Sequence, residues 1–367
     1  MKLSKLLILG ATCLSLVACG PSNDGNDKQD TRTIVDAIGR KVEIKAKPES
    51  YVCLGPGCLR QYAYVADTSK LVGIEKNEQT APRNTKPYMY RIDNYMELPV
   101  IGQGGPNKSS INKEALVQAN PDIIFTSYNS DKAYLDDLAK QTGLAVVAVG
   151  YNSNGLFAQD IYDSLKLIGN ITGFETRANE VVEYFSNSKK ELMEKAAVNP
   201  TDKRAYVGCV NHRGSFGIES TTGDFPIFDV LGIKNVINEK GITDFKQIDK
   251  EVLIDLQPDF MIMDAGGLSI LKEDMATHPD YYKSLNAFKN DEVYIELPFV
   301  FYSNNFDIAL ADAYYIASVV YPEQFKDFNI KDKFNEITEF LVGKGVYNEV
   351  SSHFGEYGKL DVNSLLK

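Results

Sequence analysis

Apolar residues recur along this chain in short continuous runs, and most runs sit next to a stretch with helical spacing. Two segments share the pattern closely: Asn112-Lys-Glu114-Ala-Leu-Val-Gln-Ala-Asn-Pro121-Asp122-Ile-Ile-Phe125 and Asp249-Lys-Glu251-Val-Leu-Ile-Asp-Leu-Gln-Pro258-Asp259-Phe-Met-Ile-Met263. Each has a Glu, apolar positions at helical spacing, Pro-Asp seven residues after the Glu, and then an apolar run. The pattern predicts a short helix capped by Asn112 or Asp249, with an acid favoured in its first turn. Proline ends the helix, and the run beyond it is a buried strand. Finding the unit twice predicts two lobes of related architecture.

Further units flank each copy. Strands are predicted at Glu49–Leu54, Leu71–Ile74, Leu144–Val149, Arg204–Val210 and Glu292–Ile295. Helices are predicted over Asp131–Thr142, ended by Gly143, and from Ile227 to Leu231, ended by Gly232. Strands alternating with helices indicate mainly parallel sheets. Between the lobes, Ile161, Leu165 and Ile168 lead to a Gly169–Gly173 turn. Ala178–Ala197 follows, with apolar residues at Val181, Val182, Phe185 and Leu192 and no internal Gly or Pro. That is one long amphipathic helix. The fold class is α/β: two Rossmann-like lobes joined by one long rigid α-helix. The predicted division is a signal peptide (1–18), a tether (19–32), an N-terminal lobe (33–170), a linking helix (171–199), a C-terminal lobe (200–345) and a C-terminal tail (346–367).

The N-terminus changes the picture. Lys2 and Lys5 precede the apolar run Leu6–Leu9, and small residues lead to Leu16-Val17-Ala18-Cys19. The order is that of a secretory signal, and Leu-x-Ala-Cys resembles the bacterial lipobox, whose Cys takes a diacylglycerol. The apolar run is too short to span a bilayer, which needs about 20 residues. Gly20–Asp30 is polar and turn-rich, a flexible tether. The expected location is extracytoplasmic, held to the membrane by two acyl chains on Cys19.

Net charge is −11, and removing the two signal lysines leaves −13. Such acidity excludes nucleic acid as a partner. Cys53, Cys58 and Cys209 are an odd set, which argues against a disulfide framework; buried free thiols are expected, with a local Cys53–Cys58 pair the alternative.

The two lobes, linking helix, lipobox and paired Glu-x-Leu…Pro-Asp units resemble the helix-linked substrate-binding proteins of ABC importers. These carry ferric siderophores, haem, cobalamin and some oxyanions. The resemblance covers about residues 33–345. Thr33–Ile44, with Gly39 at the turn, is similar to the family's N-terminal hairpin. Asp280–Leu297 and Tyr321-Pro322-Glu323 are similar to its late segments. The resemblance implies that Glu114 and Glu251 dock on arginines of an ABC permease dimer, which works with its ATPase subunits. It implies a monomeric binding protein without catalytic activity or cofactor.

Ligands of α/β lobes bind beyond the carboxyl ends of strands. In the first lobe, Gly55-Pro56-Gly57-Cys58-Leu59-Arg60 offers close backbone approach, a helix N-terminus and a guanidinium. Tyr88, Tyr90 and Arg91 suit an iron chelate, and Gly104 lies in a third loop, Gly102–Pro106. In the second lobe, His212 and Arg213 follow a strand, and Phe299–Asn305 offers an aromatic wall including Tyr302. Only three His exist, too few for a bare transition metal with several imidazole ligands. A ferric chelate is therefore the expected ligand, with a molybdate-type oxyanion as the alternative. Cobalamin and haem fit less well because Trp is absent. A lipid-anchored enzyme or adhesion protein is the remote alternative. No Gly-x-Ser-x-Gly, His-Glu-x-x-His or phosphate-loop motif is present.

Overall fold

The computed structural model describes residues 30–105, 108–129, 131–151 and 155–366. The signal, Cys19 and the tether through residue 29 lie outside the described residues. An antiparallel hairpin comes first, β1 (Thr31–Val35) and β2 (Lys41–Lys45), with Gly39 left-handed at its turn. Asp36 ties the hairpin down by accepting from Ala148 N at 3.2 Å.

The first lobe is a parallel sheet of β3 (Tyr51–Leu54), β4 (Ile123–Thr126) and β5 (Ala145–Ala148), in that order. Leu71–Ile74 is not a full strand. It extends the sheet only through single bridges, Tyr51 to Leu71 and Ile74 to Val100. Strands β6 (Arg204–Gly208), β7 (Ser220–Thr222), β8 (Lys234–Asn235), β9 (Phe245–Gln247), β10 (Phe260–Asp264), β11 (Val293–Glu296) and β12 (Gly358–Lys359) follow. Five of them form the second lobe's sheet in the order β12-β11-β10-β6-β8, and only β12 runs antiparallel.

The two repeated units fold alike. Helices Lys113–Ala119 and Lys250–Leu256 both end on left-handed residues, Asn120 and Gln257, directly before the prolines. The repeated aspartates have matching tasks. Asp122 accepts from Glu49 N at 2.8 Å and Asp259 from Arg204 N at 2.7 Å, each fixing the start of the neighbouring parallel strand. Asn112 caps its helix through Ala115 N at 3.1 Å. Asp249 makes no such bond, contrary to the sequence expectation.

A helix of 24 residues, Glu175–Val198, joins the lobes. It buries Ala178, Val181, Val182, Phe185, Leu192 and Ala196, the stripe its sequence predicts. The segment Gly169–Gly173 is not a turn throughout. Helix Gln159–Thr172 runs through Gly169, and only Gly173 terminates it. Gly169 lets the two helices touch, since a Cβ there would lie 2.6 Å from that of Ala178.

Residues 346–366, within the expected C-terminal tail, are folded onto the body. Helix Tyr347–Phe354 and strand β12 fold back, and Tyr357 donates to buried Asp312 at 2.6 Å. Helix Ile330–Val342, also late in sequence, packs on the first lobe's turn Pro87–Arg91. Among the described residues no helix is long and apolar enough to cross a membrane.

Candidate functional site

A cavity of about 420 Å³ opens at the carboxyl edge of the second lobe's sheet. Three strands aim their ends at it. β6 leads into Asn211 and His212, β10 ends at Asp264, and β11 ends at Glu296. Phe299, Val300 and Asn304 line it from the loop after β11, and Gly155 comes from the segment preceding helix Gln159–Thr172.

Asp264 and Glu296 are register partners on adjacent parallel strands, so their side chains emerge together. Asp264 accepts from Gly266 N at 2.7 Å and from the Asn211 amide at 3.3 Å. Burial pushes its carboxyl up to about 7. Glu296 rises well above the ordinary carboxylate range, through burial first and then through neighbouring Asp312 and Asp264. Asp224 and Asp229 add two more acids to the lining, and burial followed by Asp224 raises Asp229. Aromatic rings form another part of the wall. His212 stacks on Phe245 at 4.4 Å between ring centres, and Phe225 lies 6.2 Å from Phe299.

The sequence candidates divide into groups. His212 lines the cavity, while Arg213 is exposed on the same turn outside the lining. Gly57, Arg60, Gly104 and Tyr302 meet elsewhere, at a contact between the lobes. Arg60 is fully buried and donates from Nε to Asn305 Oδ1 at 3.0 Å, from Nη1 to Asn304 O at 2.6 Å and from Nη2 to Phe301 O at 3.0 Å. Its face rests on the Tyr88 ring at 4.7 Å. Gly57 is left-handed, and a Cβ on it would meet Ser303 at 3.1 Å, so the second lobe covers this helix N-terminus. Tyr302 donates to Glu75 and accepts from Gly105 N at 2.9 Å, while Gly104 leaves room for its hydroxyl.

These positions correct the expectation of an arginine-lined cleft. Arg60 spends its donors on carbonyls. Arg91 is half-buried beside Leu341 O at 3.5 Å. Tyr88 is buried and donates to Glu78, and Tyr90 lies under Arg83 and Lys344. Cys58 and Cys53 are buried free thiols. Glu114 and Glu251 are exposed in the first turns of the two repeated helices. The acids at the cavity were missed, although a carboxylate closing an apolar strand is a legible signal in both Phe260–Asp264 and Val293–Glu296. Among the described residues, no group of three or more His, Cys, Asp or Glu side chains is placed to hold a metal ion.

Residues 52–298 match the family model described as periplasmic binding protein. An ABC transporter substrate-binding lipoprotein of Bacillus subtilis (strain 168), YvrC, is 23% identical over 330 residues, covering 88% of this chain and 97% of its own length. Among solved structures, a periplasmic solute binding protein from Veillonella parvula DSM 2008 superposes with a TM-score of 0.68 at 16% identity, covering 88% of this chain and 96% of that one. The molybdate-bound periplasmic binding protein MolA of Haemophilus influenzae gives 0.65 at 19%, covering 86% and 98%.

Proposed function

Because the chain belongs to the periplasmic binding protein family, we propose that it is the extracytoplasmic substrate-binding lipoprotein of an ABC importer. It captures a small molecule and hands it to a permease dimer served by ATPase subunits. The observation that carries this reading is the cavity of about 420 Å³ at the carboxyl ends of β6, β10 and β11, a usual place for a ligand on an α/β sheet. The name of the Bacillus relative supports the same role. Cys19 is the lipid site and keeps the protein beside its permease, where it acts as a monomer. Glu114 and Glu251, exposed on equivalent helices, are the docking acids. Separated surface acids of this kind set orientation and association rate more than affinity. The expectation of a ferric chelate or an oxyanion as cargo drew on tyrosines and basic side chains, and Arg60 and Tyr88 instead spend their polar groups within the protein.

Cross-linking in native membranes, followed by mass spectrometry, tests the role. The wild-type lipoprotein is expected to capture an ABC permease. The double variant Glu114→Lys/Glu251→Lys is expected to lose at least tenfold of that capture while its thermal unfolding is unchanged. Equal capture by both, or capture of no permease by either, overturns the reading.

A further inference from the structure

Among the described residues, the enclosed side-chain atoms left without a hydrogen-bond partner at the cavity are both oxygens. Glu296 is 1% exposed, and its Oε2 has no hydrogen-bond partner among the described residues. Asn211 Oδ1 is likewise enclosed and unpartnered. The Asn211 amide nitrogen already faces both carboxylate oxygens of Asp264, at 3.3 and 3.4 Å. Turning the amide over would set oxygen against oxygen, so Oδ1 is the free end. An enclosed polar group left unpaired costs about 1–3 kcal/mol. Both residues line the same space.

The ionisable side chains there, His212 apart, are also all acids. The described lining holds Asp224, Asp229, Asp264 and Glu296 and neither lysine nor arginine. Two adjacent buried carboxylates resist joint ionisation unless a counter-charge arrives. An anionic chelate or an oxyanion would need both acids to stay protonated as donors, whereas a cation stabilises their ionised form.

Resting on the substrate-binding role proposed above, we infer that the ligand is an organic cation: an ammonium, amidinium or guanidinium group on an apolar or unsaturated frame. Its N–H donors meet Glu296 and Asp264, with one on Asn211 Oδ1. Its frame lies along Phe225, Phe299 and the stacked His212–Phe245 pair. Charged N–H donors on carboxylates make the stronger class of hydrogen bond, and a cation over aromatic faces gains further. The volume is within the range of about 300–1,000 Å³ found for small organic ligands. The absence of a three-donor group among the described residues favours an organic cation over a metal ion.

The test uses the mature lipoprotein in detergent, with thermal shift and titration calorimetry. The cationic probes are benzamidine, phenethylguanidine and tryptamine. The neutral isosteres are benzamide, phenethylurea and indole-3-acetamide, and the anionic arm is ferric tris-catecholate and molybdate. At least one cation is expected to bind tenfold or more tighter than its neutral isostere. Glu296→Gln is expected to lower that preference at least tenfold. Asp229→Asn, an exposed position that leaves the fold intact, lowers it several-fold. Neutral isosteres binding as well as cations overturn the inference. So does binding of an anionic probe with no response to any cation, an outcome that leaves the importer reading standing. Silence in every arm counts against the inference and the capture reading together.

Discussion

Arg60 in the first lobe donates to the side-chain carbonyl of Asn305 in the second at 3.0 Å, across 245 residues of chain. The same guanidinium holds the carbonyls of Phe301 and Asn304. Between them, Tyr302 and Ser303 adopt left-handed backbone at φ 49° and 72°. Non-glycine residues there cost of order 1–3 kcal/mol each, so the loop needs an external hold, and Arg60 supplies it. Asn304 also lines the ligand cavity. The arginine therefore shapes the cavity wall without entering it.

Replacing Arg60 with Met leaves buried carbonyls without donors. The expected loss is about 3 kcal/mol or more, read as the urea unfolding midpoint. Arg60→Lys keeps the charge but not the fork of donors, so it falls between the two. An unchanged midpoint in Arg60→Met would remove the inter-lobe tie from this account.

Stability is expected to rise on mild acidification. Burial raises Glu75 to about 7 and Asp307 to about 6, with Asp264 near 7. Each binds its proton more tightly folded than unfolded. Between their unfolded values, about 4, and 7, the folded state therefore holds more protons, and stability falls as pH rises through that window. Glu75 alone contributes on the order of 3 kcal/mol across it. Groups held low, such as Asp122 and Asp274, act in the opposite sense but only below about pH 4. Denaturation midpoints at pH 5.5 and 8 measure the slope, and Glu75→Gln should flatten it. A midpoint that climbs with pH contradicts the assignment.

The αβ units were legible because their signals are local. Glu114 and Glu251 sit in first turns, the apolar runs give strands β4 and β10, and Gly143 and Gly232 end helices as left-handed residues. Arg60 misled because its partners lie at 301–305, and nothing near position 60 announces them. Beside Gly-Pro-Gly at a helix start, a guanidinium reads as an anion site. Asp264 and Glu296 each close an apolar strand, a signal visible in the sequence, but their meeting is not visible there. Their meeting depends on β10 and β11 pairing in one register, which neither strand's own sequence specifies.

Gly169→Ala should destabilise, against the usual rule. In a helix interior this change ordinarily stabilises by roughly 0.5–1 kcal/mol. Here the new Cβ would lie 2.6 Å from Ala178 Cβ and 3.0 Å from Phe174 O. Forcing the helices apart costs about 1–3 kcal/mol, so a net loss is expected in thermal unfolding. Adding Ala178→Gly should recover part of it. A more stable Gly169→Ala would mean that the two helices do not pack at this point.

Binding of a cationic ligand should weaken as pH falls. Burial pushes the Asp264 carboxyl up to about 7. The groups facing it are Glu296 on β11, the Cys209 thiol and Asn211 amide after β6 and Gly266 N in its own loop, with Asp312 beyond on helix Phe306–Val320. None of them is a cation, so a bound ammonium or guanidinium would be the first positive charge Asp264 meets. It would favour the carboxylate and lower its pKa. Below pH 7 binding must then expel a proton, and affinity drops by up to about tenfold per pH unit. Calorimetry at pH 6, 7 and 8, in buffers of different ionisation enthalpy, reads both the slope and the proton. Asp264→Asn should shrink both. A ligand that instead accepts a hydrogen bond from protonated Asp264 or Glu296 would bind more tightly on acidification, so the sign of the slope decides between a donor and an acceptor in the cavity.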